Sequence, residues 1–334
     1  WAPDMVIADE SQALKNGQSE QSKGCTAIGS KAKYRLILTG TPVSQGPMDF
    51  FSQYKFLDDR IFGKSFPKFR GEYALMGGYM NHEVVGFKNL ETLTGKAHSI
   101  AFRVTKAEAL DLPETLDQNL YCYLDEAATA YEEMEKKMVT TLKEGEVTAP
   151  IVLTQLLRLQ QITGGFLPME EGNPVQVGNE KLKVFKEFLE DFPRDKKLVV
   201  VARFVPELHA LKQVCDQLQR SSTVFYGATE NRGEVVRKFQ EEKDPNVLLI
   251  QIQTGGVGIT LHRADTMLFY SMDFSYNNYE QVKARVHRIG QENKVTYIHL
   301  LAKDTVDETI LTALQNKRDV AELVVDKMKN NSIF

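Results

Sequence analysis

Between Leu198 and Leu301 short apolar runs alternate with amphipathic helical patterns, and this alternation limits the fold more than any other feature of the chain. The runs occupy 198–202, 223–226, 247–252, 267–271 and 296–301, each short enough to be a strand with both faces covered. Helical patterns at about 206–219, 231–241 and 277–288 separate several of them. Strand, crossover helix and parallel strand together form a right-handed unit, so the region reads as an α/β fold with a doubly wound parallel sheet.

The first third carries two further strand ends. Met5, Val6, Ile7 and Ala8 read as a buried strand that stops at Asp9 and Glu10, and a second run from Arg35 to Leu38 stops at Thr39-Gly40-Thr41-Pro42. Open α/β sheets bind ligands beyond the carboxyl ends of their strands. Residues 58–110 read as mostly helix. Leu124, Ala128, Tyr131, Met134, Met138 and Leu142 recur at helical spacing, as does the pattern over 150–162. Gly164, Gly165, Gly172 and Gly178 with Pro168 and Pro174 mark a loop, and the spacing over 305–329 predicts a C-terminal helix, broken or continuous. A length of 334 residues suits two domains.

Composition removes several classes of function. The apolar runs are far shorter than the roughly 18 residues that cross a bilayer, and no cleavable signal is expected at the start. Cys25, Cys122 and Cys215 are widely separated and no two histidines stand at ligand spacing, so neither a disulfide framework nor a structural metal is expected. The expected setting is a reducing, intracellular one. A net charge of −4 excludes a surface coated in positive charge and leaves room for a local basic cleft.

Asp9 and Glu10 at a strand end suit nucleotide hydrolysis, with Asp9 holding Mg²⁺ largely through water and Glu10 orienting and deprotonating the attacking water. A bare acidic pair is also an ordinary exposed turn. Arg285 and Arg288, three apart on the helical pattern, would point the same way and suit phosphate oxygens, or would form a solvated helix face. Gly255, Gly256 and Gly258 after a strand allow backbone N–H groups to approach a phosphate, or make a tight loop. Gly63-Lys64-Ser65 imitates the end of a P-loop, but the glycine that motif requires is replaced by Asp58.

Read together, DESQALKN at 9–16 and LTGTP at 38–42 resemble motifs II and III of the superfamily-two helicases, in the form of the Swi/Snf-type ATPases. VVVARF at 199–204 resembles motif IV, QTGGVGITLHRAD at 253–265 motif V and QVKARVHRIGQ at 281–291 motif VI. FYGATENRGEVVRKFQ at 225–240, ALDLPETL at 109–116 and LLRLQQITGG at 156–165 resemble segments between the motifs.

The resemblance implies RecA-like doubly wound sheets with helical insertions, one lobe partial and one complete. Residues 1–112 would end the first lobe, 113–310 would form the second with an insertion near 124–165, and 311–334 a terminal helix. It implies ATP and Mg²⁺ as cofactors, double-stranded DNA as partner, and movement along the duplex. Asp9 would hold the metal, and Glu10, Gln12, Arg285 and Arg288 would serve catalysis, the two arginines as fingers. Gly258 and Gln281 would join the arginines at the nucleotide. Thr39, Thr41, Arg203, Thr254, Gly255 and Gly256 would contact DNA, with Thr39 and Thr41 relaying between the two ligands.

The family's P-loop is absent, so the half of the first lobe that carries it is expected on other polypeptide, truncated or separately encoded, and this chain alone is expected to be inactive. The segment Asp273-Phe274-Ser275-Tyr276 also departs from the family pattern. The lack of large insertions points to a bacterial or phage setting rather than a nuclear one, by analogy alone. The alternative is a nucleotide-independent DNA-binding or scaffolding module that keeps the helicase fold.

Overall fold

The computed structural model describes residues 2–43, 46–77, 83–104, 106–143, 149–169, 174–254 and 258–316. The chain divides into two compact units, one built from Trp1–Thr105 and the other being Lys106–Leu314.

In the first unit β1 (Met5–Ala8) is followed by α1 (Glu20–Gly29) and β2 (Tyr34–Ile37), and the two strands pair in parallel with Met5 opposite Tyr34 and Ala8 opposite Ile37. Ser19 starts α1 by accepting the Ser22 N–H, the usual work of an N-cap hydroxyl. The strand expected at 5–8 is present but is not buried. Met5 and Ile7 are 47% and 55% exposed, because the described sheet has two strands and no described residue covers that face.

Beyond β2, α2 (Phe50–Leu57), α3 (Phe66–Tyr73) and α4 (Leu90–His98) enclose an aromatic core. Phe50, Phe51, Tyr54, Phe69 and Tyr73 are buried there with Val43, Leu93 and Ala97. Phe69 lies 4.9–5.2 Å, ring to ring, from Tyr73, Phe62 and Phe51, in the tilted and edge-on geometries that aromatic quadrupoles favour. Mostly helix was expected across 58–110. In its midst stands an antiparallel hairpin, β3 (Ala74–Gly77) and β4 (Glu83–Phe87), whose pairing supplies backbone partners that sequence periodicity does not reveal.

The second unit opens with a short helix, α5 (Lys106–Ala109), and then β5 (Thr115–Cys122). The helices α6 (Ala128–Lys143) and α7 (Ala149–Thr163) follow, then a two-residue hairpin pair, β6 (Phe166–Leu167) and β7 (Val175–Gln176), within the expected loop. The rest winds through α8 (Glu180–Asp191), β8 (Leu198–Ala202), α9 (Val205–Gln217), β9 (Ser222–Phe225), α10 (Arg232–Glu241) and β10 (Val247–Gln251). It closes with β11 (Thr266–Phe269), α11 (Tyr276–Val286) and β12 (Val295–Ala302), and a helix over 306–316; the remainder of the C-terminal helix expected to 329 lies outside the described residues.

Six strands form one sheet in the order β5-β12-β11-β8-β10-β9, and all its pairs are parallel. Every residue of β8 is fully buried, as a central strand covered on both faces must be. Leu208, Leu211 and Cys215 of α9 and Phe185 and Leu189 of α8 pack on it with Val200, Leu249 and Leu268. The chain runs from β8 out to β9, back to β10, and then across β8 to β11. The carboxyl ends of β8, β10 and β11 therefore meet at a topological switch point, where such sheets gather ligands.

Candidate nucleotide and DNA site

Asp9 stands one residue beyond β1, exposed, and its Oδ1 accepts the Glu10 N–H at 2.9 Å. Glu10 has φ 51° and ψ 48°, the left-handed region, which costs a non-glycine residue on the order of 1–3 kcal/mol unless its surroundings hold it. Those surroundings are a run of hydrogen bonds. Gln12 Nε2 donates to Glu10 Oε2 at 2.5 Å, Thr39 Oγ1 donates to Gln12 Oε1 at 2.5 Å, and the Thr41 N–H donates to Thr39 Oγ1 at 3.0 Å. Four of the residues singled out in the sequence are thus joined across two loops, Glu10, Gln12 and Thr39 through their side chains and Thr41 through its backbone N–H.

Gln12 is 5% exposed, so its amide is held in one orientation: oxygen toward Thr39, nitrogen toward the carboxylate. Ser11 secures the same turn from behind. Its N–H donates to Leu38 O at 3.0 Å and its Oγ to Gln53 Oε1 at 2.8 Å, while Gln53 Nε2 donates to Pro42 O at 2.7 Å. Gln53 is 1% exposed on α2 and ties both loops to the aromatic unit. Sequence reasoning missed it, although a glutamine amid FFSQYKFL is a polar residue on an apolar helix face.

In the second unit the loop after β8 carries Arg203, whose N–H donates to Ser271 Oγ at 2.7 Å and whose Nη1 donates to Gln160 Oε1. Burial lowers the guanidinium pKa, while the charges of Asp273 and Glu207 raise it. Thr254 donates its hydroxyl to Gln251 O at 2.8 Å, and Gly255 and Gly256 lie outside the described residues. Gly258 is exposed, and a Cβ added there would meet nothing within 4 Å.

Gln281 and Arg285 sit half-buried on α11. Arg288 was expected to share their helix and does not, because α11 ends at Val286. Beyond the C-cap His287, whose N–H donates to Lys283 O at 3.2 Å, Gln291 Nε2 donates to the carbonyls of Val286, His262 and Ala264, and Gly290 turns the chain at φ +96°. Arg288 instead reaches Ile259 O at 3.3 Å, and Leu261 N–H donates to Arg285 O at 2.8 Å. The segment carrying the arginines is therefore fastened to the loop that follows Gly258.

A buried ionic cluster lies beneath this edge of the sheet, and sequence reasoning missed all of it. Lys181 Nζ is 2.5 Å from Asp307 Oδ2 and donates to Tyr270 O at 2.9 Å, and Thr163 Oγ1 donates to Asp307 Oδ1 at 3.0 Å. Glu207, 1% exposed, accepts Ser271 Oγ–H at 2.5 Å and the Phe204 N–H at 3.1 Å. Burial pushes the Glu207 carboxyl up to about 7. A signal existed: Lys181 precedes Phe185 and Leu189, and Glu207 precedes Leu211 and Cys215, each at the spacing of an apolar helix stripe.

The model of the SNF2-related domain matches residues 2–164, and that of the helicase conserved C-terminal domain matches residues 180–290. The chain belongs to the SNF2 family of superfamily-two helicases. An uncharacterized ATP-dependent helicase of Mycoplasma genitalium is 25% identical over 328 residues, which is 95% of this chain and 30% of that protein. A SWI/SNF-related regulator-of-chromatin subfamily A-like protein 1 homolog of Caenorhabditis elegans is 26% identical over 94% of this chain and 45% of its own length. This SNF2 chain thus spans less than half of either curated relative.

Among solved structures, the Sulfolobus solfataricus SWI2/SNF2 ATPase core domain is 25% identical with a TM-score of 0.50, over 94% of this chain and 65% of that one. The same core in complex with dsDNA has a TM-score of 0.51 at 24% identity, over 97% and 69% of the two chains, a likeness that bears on fold alone. The α/β architecture with a RecA-like parallel sheet is that of the family. No helix among the described residues is long and apolar enough to cross a membrane.

Proposed function

We propose that this chain is the motif II-to-VI portion of an ATP-driven duplex-DNA translocase, one that remodels protein–DNA or DNA structures. The run Glu10–Gln12–Thr39–Thr41 carries the reading. It joins the carboxylate suited to activating water with a threonine loop suited to backbone phosphates, so a shift of Thr39 on DNA reorients the Gln12 amide and with it Glu10.

In hydrolysis Glu10 takes a proton as the water oxygen bonds to the γ-phosphorus, and the bond from that phosphorus to the β,γ-bridging oxygen breaks, releasing ADP. Among the described residues there is no cluster of three or more His, Cys, Asp or Glu side chains that could cage a metal. A single exposed carboxylate such as Asp9 fits Mg²⁺, which keeps several waters and takes its other ligands from substrate phosphates, where it offsets their charge. Arg285 and Arg288 supply cations for the transferring phosphoryl group.

The cradle for the β- and γ-phosphates belongs to polypeptide that adds to β1 and β2. Met5, Ile7, Tyr34 and Leu36, 38–55% exposed on these strands, are an apolar surface that such an addition would cover. The test is made on the complete enzyme. Glu10→Gln should abolish DNA-stimulated phosphate release while sparing Mg-ATP binding. Duplex should stimulate better than single strands or RNA, and a triplex strand should be displaced without duplex unwinding. Unchanged turnover in the variant refutes the role given to Glu10, absence of DNA-stimulated turnover in the unaltered enzyme favours a nucleotide-independent module, and a preference for RNA favours another helicase class.

A further inference from the structure

Arg203 is held at both ends. Its backbone N–H rests on Ser271 Oγ, and Ser271 in turn donates to the buried Glu207. Its guanidinium lies 5.3 Å from the Phe204 ring, and Nη1 donates to Gln160 Oε1 on α7. Among the described residues Gln160 is the guanidinium's hydrogen-bond partner, and none of the guanidinium nitrogens is buried without one. The Nε and Nη2 edge is therefore left for an external acceptor.

Gln160 is itself 1% exposed and fully engaged. Its Nε2 donates to Met272 O while its Oε1 takes the arginine. Through its two ends the amide donates to one of these neighbours and accepts from the other. A carboxylate would face the Met272 carbonyl with a second acceptor, and an apolar side chain would satisfy neither.

We infer that Gln160 is a positioning residue for DNA engagement, clamping Arg203 so that its free edge meets a backbone phosphate in a fixed orientation. The inference rests on the reading of Arg203 as a DNA contact. Arginine carries a long rotamer-rich stem, and fixing it beforehand removes an ordering cost from each encounter with DNA.

The test is a double-mutant cycle on the full-length protein with Gln160→Met, close to glutamine in length, and Arg203→Ala. Duplex affinity is read at several salt concentrations, and hydrogen exchange of the Arg203 guanidinium is read without DNA. Gln160→Met should speed that exchange and weaken duplex binding about three- to ten-fold, and should add little in the Arg203→Ala background. Ser271→Ala, which releases the backbone end, should weaken binding in the same direction and likewise lose its effect without Arg203. Arg203→Ala alone weakening binding while Gln160→Met leaves affinity and exchange unchanged overturns the clamp and spares the DNA contact. Equal losses from Gln160→Met with and without Arg203 also overturn it. Unchanged affinity in Arg203→Ala removes the DNA contact itself, and the inference with it.

Discussion

Lys181→Met probes the ionic cluster under the second sheet. Lys181 is 2% exposed and Asp307 3%, so the pair is cut off from water. Methionine keeps most of the stem volume and removes the charge. Asp307 then retains the Thr163 hydroxyl and the Ala302 N–H, both at 3.0 Å and both already present in the native pair, so neither offsets the loss. Tyr270 O also loses its donor from Nζ. A buried carboxylate stripped of its cation costs about 3–5 kcal/mol. For a unit of this size that is a fall of roughly 10 °C in Tm. Adding Asp307→Asn removes the stranded charge while keeping the side chain's shape, and should restore about 2 kcal/mol. Urea titrations of the three proteins, read as midpoints at constant m-value, make the comparison. A loss under about 1 kcal/mol in Lys181→Met, or no recovery in the double variant, refutes the reasoning.

Glu207 should make the fold pH-sensitive in a definite direction. Its carboxyl is pushed from 4.5 up to about 7 in the folded state, so the native protein binds the extra proton between those values and stability falls as pH rises through that window. His299, held down at about 4 by burial from an ordinary 6.5, acts oppositely, its contribution present above 6.5 and lost as pH falls toward 4. The wild type alone would mix the two, whereas Glu207→Gln should flatten the decline between pH 5 and 7 by on the order of 1–3 kcal/mol, read by urea unfolding at several pH values. No difference in slope between the two proteins would count against it. In the complete enzyme Arg285→Ala and Arg288→Ala should each lower kcat by on the order of 10³, with duplex affinity changed only a few-fold. Loss of binding with intact turnover at saturating DNA would assign them to the DNA track.

Strand positions in the second unit were legible because buried parallel strands need apolar residues throughout. The runs expected at 198–202 and 247–252 correspond to β8 and β10 at Leu198–Ala202 and Val247–Gln251. β5 went unread for the converse reason. It is an edge strand with nearly all its residues exposed, and TLDQNLYC satisfies its backbone through β12 rather than through an apolar face. The candidate residues Glu10, Gln12, Thr39 and Thr41 were legible as types in a motif, but no spacing could state that a buried amide connects them.

The α/β class, the parallel winding of the second sheet and the family can be read along the chain, since alternating periodicity and ordered motifs are local properties. Only tertiary structure decided which polar residues go inside. Lys181, Glu207 and Gln160 are written like surface residues, and each is buried because a partner distant in the chain meets it there: Asp307, Ser271 and Arg203. Only tertiary structure fixed the end of α11 before Arg288, where the Gln291 amide ties the Val286 carbonyl to those of His262 and Ala264 in another segment. The physical reason is common to both. A buried charge or an open helix end is tolerable only with its hydrogen-bond partner in place, and that partner comes from a segment whose position the whole fold sets.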